Sequence, residues 1–161
     1  MLILLFYVGT DRYALDCSML VETIPMVNLR PIPQAPSYVA GSFQYRGAIV
    51  PAIDLSQLIQ GTASRSYLST RIIILNLRKF KGNFKDSRDS DLKPIVGMIA
   101  ERVTETLNIS ATDMLPPVLP ADSAPYLGEM IVERSGMIQL IKLEQVFTHS
   151  DYRYLMEDEG V

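Results

Sequence analysis

The 161-residue chain contains one cysteine and one histidine, and each scarcity closes off a class of function. A single cysteine, Cys17, excludes an internal disulfide and any multi-cysteine metal site, which fits a reducing cytoplasm. With Asp16 before it, Ser18 after it and no adjacent cation to lower its pKa, Cys17 reads as a small buried residue. His149 stands beside Ser150 and Asp151 near the C-terminus, a pattern that fits a polar helix surface. A catalytic triad draws its partners from separate elements instead. There is no glycine-rich phosphate loop, and the carboxylates are scattered. Glu129 and Glu133 fall at even spacing, as on the solvent face of one strand. The groups from which a catalytic site is assembled are therefore few. A net charge of −3 gives no nucleic-acid signature. Long hydrophobic runs are also missing. The opening MLILLFYV lacks a basic leader and runs into the turn Gly9-Thr10-Asp11, whereas a spanning helix needs about 20 apolar residues. It reads as a first β-strand.

What is present is a succession of short apolar runs, at 2–8, 13–15, 20–24, 48–55, 71–77, 95–100, 130–132 and 137–143. Ten prolines and nine glycines punctuate them. This spacing predicts a mostly β protein built from small barrels, not strands alternating with long helices. The length fits one domain, 1–161, or two small lobes sharing a core, and a chain of this size buries about two thirds of its unfolded surface. Helical signals are few. Residues 56–60 before Gly61 predict a single turn with a glycine cap, and 143–156 predict a C-terminal helix with Val146, Phe147, Tyr154 and Leu155 at helical spacing.

The chain also echoes itself. Tyr38-Val39-Ala40-Gly41, Arg46-Gly47 and Ile53-Asp54-Leu55 return as Tyr126-Leu127-Gly128, Arg134-Ser135-Gly136 and Ile141-Lys142-Leu143. Val21-Glu22-Thr23 returns as Thr104-Glu105-Thr106. Two echoes in one order predict two related five-stranded β lobes, at 1–60 and 71–145, with the small polar segment 61–70 as linker and a groove where the lobes face. The charged stretch 78–93, RKFKGNFKDSRDSDLK, reads as an insertion loop between two strands.

The stretch YVAGSFQYRGAIVPAIDL, at 38–55, sets Arg46-Gly47 as a tight corner before an apolar strand whose Pro51 argues for an edge or a bulge. With RYALD (12–16), VETI (21–24) and RPIPQAP (30–36) before it, it resembles the CheW family of bacterial chemotaxis coupling proteins. The resemblance continues through RIIILNL (71–77), VGMIAERVTETLNIS (96–110) and YLGEMIVERSGMIQLIKL (126–143), but does not extend into 78–93. It implies two SH3-like barrels, no reaction and no cofactor. It also implies an adaptor in the cytoplasm that links the tip of a transmembrane chemoreceptor to the CheW-like domain of a chemotaxis-type histidine kinase. Carried over by motif position, the receptor-side residues are Leu20, Glu22, Arg46, Gly47 and Ile72, with Glu22 and Arg46 expected to pair. The kinase-side residues are Ile49 and Val50. At Ser42-Phe43-Gln44-Tyr45 the chain departs from the family's commoner apolar pair followed by Asn.

Two rival readings remain at this level. One is a nucleic-acid-binding small barrel that uses Tyr13, Phe43, Tyr45 and the basic insert. The other is an esterase-like or transferase activity from His149.

Overall fold

In a computed structural model, residues 1–77, 95–117, 124–142 and 145–146 are described. The insertion 78–93, His149 and nearly all of the expected C-terminal helix lie outside them. Eleven strands are present among the described residues: β1 (Leu2–Val8), β2 (Asp11–Asp16), β3 (Leu20–Pro25), β4 (Val39–Tyr45), β5 (Ala48–Asp54), β6 (Arg71–Asn76), β7 (Ile95–Ala100), β8 (Thr106–Asn108), β9 (Met114–Leu115), β10 (Leu127–Glu133) and β11 (Gly136–Ile141). They form a six-stranded sheet in the order β8-β1-β2-β11-β10-β9 and a five-stranded sheet in the order β3-β6-β7-β5-β4. The protein is mostly β, as its alternating apolar runs predict.

The two sheets repeat one plan. In each, an antiparallel trio (β3-β6-β7, and β8-β1-β2) meets an antiparallel hairpin (β5-β4, and β11-β10) through one parallel pair, β7 with β5 and β2 with β11. The echoed motifs occupy matching places: Arg46-Gly47 and Arg134-Ser135 sit at the two hairpin turns. The lobe boundaries expected at 1–60 and 71–145 do not match the sheets. β1 and β2, from the start of the chain, complete the sheet that carries β10 and β11, while β6 and β7 complete the sheet that carries β4 and β5. Pairing partners are chosen by buried faces and not by nearness along the chain, so the halves interlock.

Alternation along β1 explains why its sequence is unbroken apolar. Leu4, Phe6 and Val8 point into the large core between the sheets, while Ile3 and Leu5 point into the second core inside their own sheet. β6 does the same: Ile73 and Leu75 face the shared core, and Ile72 and Ile74 face the interior of the five-stranded sheet. A strand buried on both faces needs apolar residues at every position. The shared core fills the space between the lobes where a groove was expected, and Leu20 and Val103 are half-buried against it.

The short helix α1 (Leu55–Gln60) forms where the sequence predicts it. Asp54 caps its start, accepting from the backbone N–H groups of Ser56 and Gln57, and Gly61 ends it at φ 75°. The same buried carboxylate also accepts from Ser64 N at 2.8 Å and Ser64 Oγ at 2.6 Å. Segment 61–70 is thereby pinned to the core, and is not the free linker its small polar residues suggest.

Gly97 of β7 has no room for a side chain. A Cβ there would lie 2.7 Å from Ile72 Cγ2 and 2.9 Å from Phe43 Cε1. Gly97→Ala is expected to lower the unfolding free energy by about 1–3 kcal/mol. Chemical denaturation checks this, and an unchanged midpoint would show that Phe43 and Ile72 can yield.

Candidate functional site

The corner between β4 and β5 is the most chemically distinctive surface feature of the five-stranded sheet. Arg46 and Gly47 adopt φ 47° and φ 80°, the paired positive values of a tight hairpin turn. Gly47 accepts this freely; Arg46 does so at some cost in strain. The Arg46 guanidinium lies over the Tyr45 ring, 5.1 Å from its centroid, and its Nη2 is 3.5 Å from Glu22 Oε1. The Tyr45 hydroxyl donates to the same carboxylate oxygen at 2.6 Å.

These contacts cross a seam. β3, which carries Glu22, and β4, which ends in Tyr45, are the two edges of their sheet. A backbone bridge joins Ser42 of β4 to Arg30, in the segment that follows β3, with both N···O distances at 2.8 Å. The sheet is therefore closed into a barrel, and the Glu22–Tyr45–Arg46 cluster clasps it at the surface. Gly41 makes the close approach possible, since a Cβ there would meet Arg30 O at 2.5 Å.

The expected pairing of Glu22 with Arg46 is present, and its setting is open: 41% of the Glu22 side chain and 68% of the Arg46 side chain are exposed. An ion pair so placed contributes about 0–1 kcal/mol. Burial raises the Tyr45 phenol above its ordinary pKa, and its hydrogen bond to Glu22 adds to the shift. Tyr45 was missed as a member of this cluster. The signal available was an aromatic residue directly before an Arg-Gly turn, in the segment where the chain departs from the pattern of the family it resembles.

Other expected contact residues are distributed differently. Leu20 is half-buried against the shared core, on the same strand as Glu22, and Gly47 is exposed at the turn. Ile72 is fully buried inside the five-stranded sheet, where it and Phe43 close over Gly97, so it supports the surface from beneath and cannot touch a partner. Val50 is likewise corrected from contact to core, at 1% exposure. Ile49 is 55% exposed. Pairing with β7 begins only at Ala52, so Ile49, Val50 and Pro51 are bonded on one side, to β4. The proline thus stands where no second ladder requires its N–H, as the edge reading anticipates.

The aromatic residues of the nucleic-acid reading do not share one open face. Phe43 is buried in the sheet interior, Tyr13 packs on the shared core, and the Tyr45 ring lies under Arg46. Burial raises the Cys17 thiol pKa, with the Asp16 carboxylate adding to it, which keeps the thiol protonated. No group of three or more His, Cys, Asp and Glu gathers among the described residues, and none of their helices is long and apolar enough to cross a membrane.

Residues 2–151 match the model of the CheW-like domain. The chain belongs to the CheW-like domain family. It is 25% identical over 157 residues to the chemotaxis protein CheW of Treponema pallidum, covering 93% of this chain and 84% of that one. It is 26% identical over 138 residues to the protein FrzA of Myxococcus xanthus, covering 86% and 78%. The scaffolding protein CheW of Thermoanaerobacter tengcongensis has a similar fold, with a TM-score of 0.74 at 24% identity over 93% of this chain and 89% of that one. The chain thus shares its domain with a protein named for chemotaxis and its fold with one named as a scaffold.

Because the pair is exposed, Arg46→Glu is expected to change the unfolding free energy by about 1 kcal/mol or less, read by denaturant titration. A loss several times larger would show that the clasp is structurally essential. Glu22→Gln should bring the Tyr45 titration, followed by carbon NMR of its ring, back toward the ordinary phenol value. The sign follows from the raised pKa: the stabilisation from this hydrogen bond is complete below the ordinary phenol pKa and is lost as pH rises through the raised one.

Proposed function

We propose that this protein couples chemoreceptors to a chemotaxis-type histidine kinase as a non-enzymatic adaptor in the cytoplasm. The observation that carries the reading is that one barrel presents two chemically different surfaces on a single hairpin. At its turn, Arg46 and Glu22 form an exposed charged clasp beside Gly47. On the strand that follows, Ile49 offers an exposed apolar side chain next to backbone bonded on one side. An adaptor needs two contacts at once, and surfaces of different chemistry select different partners.

In this reading the receptor tip meets Leu20, Glu22, Arg46 and Gly47. The CheW-like domain of the kinase meets the strand at Ile49. Val50 and Ile72 hold that strand from inside the barrel. The pairing of β4 with β5 and the sheet interior beneath them keep the two surfaces in fixed relation.

Charge reversal separates the two contacts. Arg46→Glu should abolish binding of a soluble receptor-tip fragment and leave the kinase domain bound, whereas Ile49→Asp should do the converse. Calorimetry on purified, folded variants checks both. No association of the unaltered chain with either partner at high micromolar concentration would contradict the adaptor reading. Loss of both partners in each folded variant would contradict the division of surfaces.

A further inference from the structure

A second surface feature lies away from the hairpin. A cavity of about 410 Å³ opens between the β1–β2 turn and the pinned segment 61–70, and Gly9, Thr10, Thr62, Arg65, Tyr67 and Arg102 are among the residues that line it. This is the lower end of the range for small-ligand sites.

Its walls are held firmly. Glu101, 6% exposed, accepts from the Arg65 backbone N–H at 2.5 Å. Thr70 Oγ donates to Arg65 O at 2.6 Å and accepts from Tyr67 N at 3.0 Å. Ser69 O accepts from Val103 N at 3.1 Å. The β1–β2 turn is tied to the opposite wall through Tyr7 N, which donates to Glu101 O at 3.0 Å.

Two guanidinium groups line this cavity, and neither makes a salt bridge with a carboxylate among the described residues, although Glu101 acts on Arg65 at longer range. The exposed Arg102 guanidinium lies over two rings, 5.4 Å from the Tyr67 centroid and 5.8 Å from that of Tyr7. Its backbone is in the left-handed region at φ 48°, a conformation that non-glycine residues seldom adopt and that occurs preferentially at functional sites. Arg65 Nη1 donates to Tyr67 Oη at 3.3 Å. The one carboxylate in the wall, Glu101, is already engaged by a backbone N–H. In a chain of net charge −3, two arginines against the single carboxylate of Glu101 leave this cavity with a local excess of positive charge.

We propose that this cavity binds a small phosphorylated ligand, with Arg65 and Arg102 holding the phosphoryl oxygens and the hydroxyls of Thr10 and Thr62 as further donors. Planar guanidinium forks match phosphate geometry, and charge-assisted bonds of this kind are the stronger ones. The ligand would bridge the turn joining β1 to β2, which belong to one sheet, and the segment that leads into β6 of the other. It would therefore stabilise the folded protein by mass action. This site is separate from the hairpin surfaces and does not rest on the adaptor reading.

Inorganic phosphate, phosphoserine and succinate, each titrated at constant ionic strength into the full chain, test the proposal by amide NMR and calorimetry. Saturable shifts are expected at Gly9, Thr10, Thr62 and Arg65 with phosphate and with phosphoserine, and weaker ones with succinate. Arg65→Gln and Arg102→Gly should each weaken phosphate binding by about tenfold or more, the loss of one charged hydrogen bond. Glycine is chosen at 102 because it accepts the positive φ, so the variant should fold. Non-saturating shifts, or saturable binding that both variants retain, would overturn the proposal. Succinate binding more tightly than phosphate would overturn its phosphoryl assignment.

Discussion

The structure depends on burying β1 on both of its faces. Through Leu4, Phe6 and Val8 the strand fills the space between the sheets, and through Ile3 and Leu5 it fills the interior of its own. It also hydrogen-bonds to β2 and β8 as a central strand of the six-stranded sheet. Apolar burial of this extent is the dominant favourable contribution to folding. The first strand of the chain thus lines both the core shared by the two sheets and the interior of its own, whereas the interior of the five-stranded sheet is built without it.

That constraint explains which parts of the fold were legible in the sequence. Local signals were sufficient for eight of the eleven strands, for the Arg46-Gly47 corner and for the capped turn ending at Gly61, while β4, β8 and β9 fall outside the apolar runs. The sheet plan was not legible. β2 lies beside β11, and the Arg12–Glu133 ion pair on their sheet spans 121 residues of sequence. The internal echo correctly marked two related hairpins, but it does not show which outer strands each hairpin acquires. Joining the echoes to consecutive halves placed β1 and β2 in the wrong sheet.

The site divides along the same line. Glu22 and Arg46 could be selected because each is a charge within an apolar strand context and matches a family motif. Ile72 and Val50 match the motif equally well, yet the alternation of β5 and β6 turns them inward. Residue type alone does not separate the two outcomes in strands whose buried and exposed positions are both apolar. Tyr45 joins the cluster because barrel closure brings the end of β4 to β3, a contact across the sheet's seam. The arginine-lined cavity was hidden for a related reason: Asp54 and Glu101 fix segment 61–70 from opposite sides, and neither carboxylate is adjacent to it in sequence.

Interlocking has a functional consequence. Both proposed surfaces lie on the β4–β5 hairpin, and the core shared between the sheets ties that hairpin, through Ile53, to the six-stranded sheet. Native-state hydrogen exchange is the most direct measurement of that coupling. Amides at the centres of β1, β6 and β11 are expected to exchange through one global opening with the same free energy and the same denaturant dependence. Exchange of the six-stranded sheet at a distinctly lower free energy, while β6 and β7 keep their protection, would show two independent lobes and contradict it.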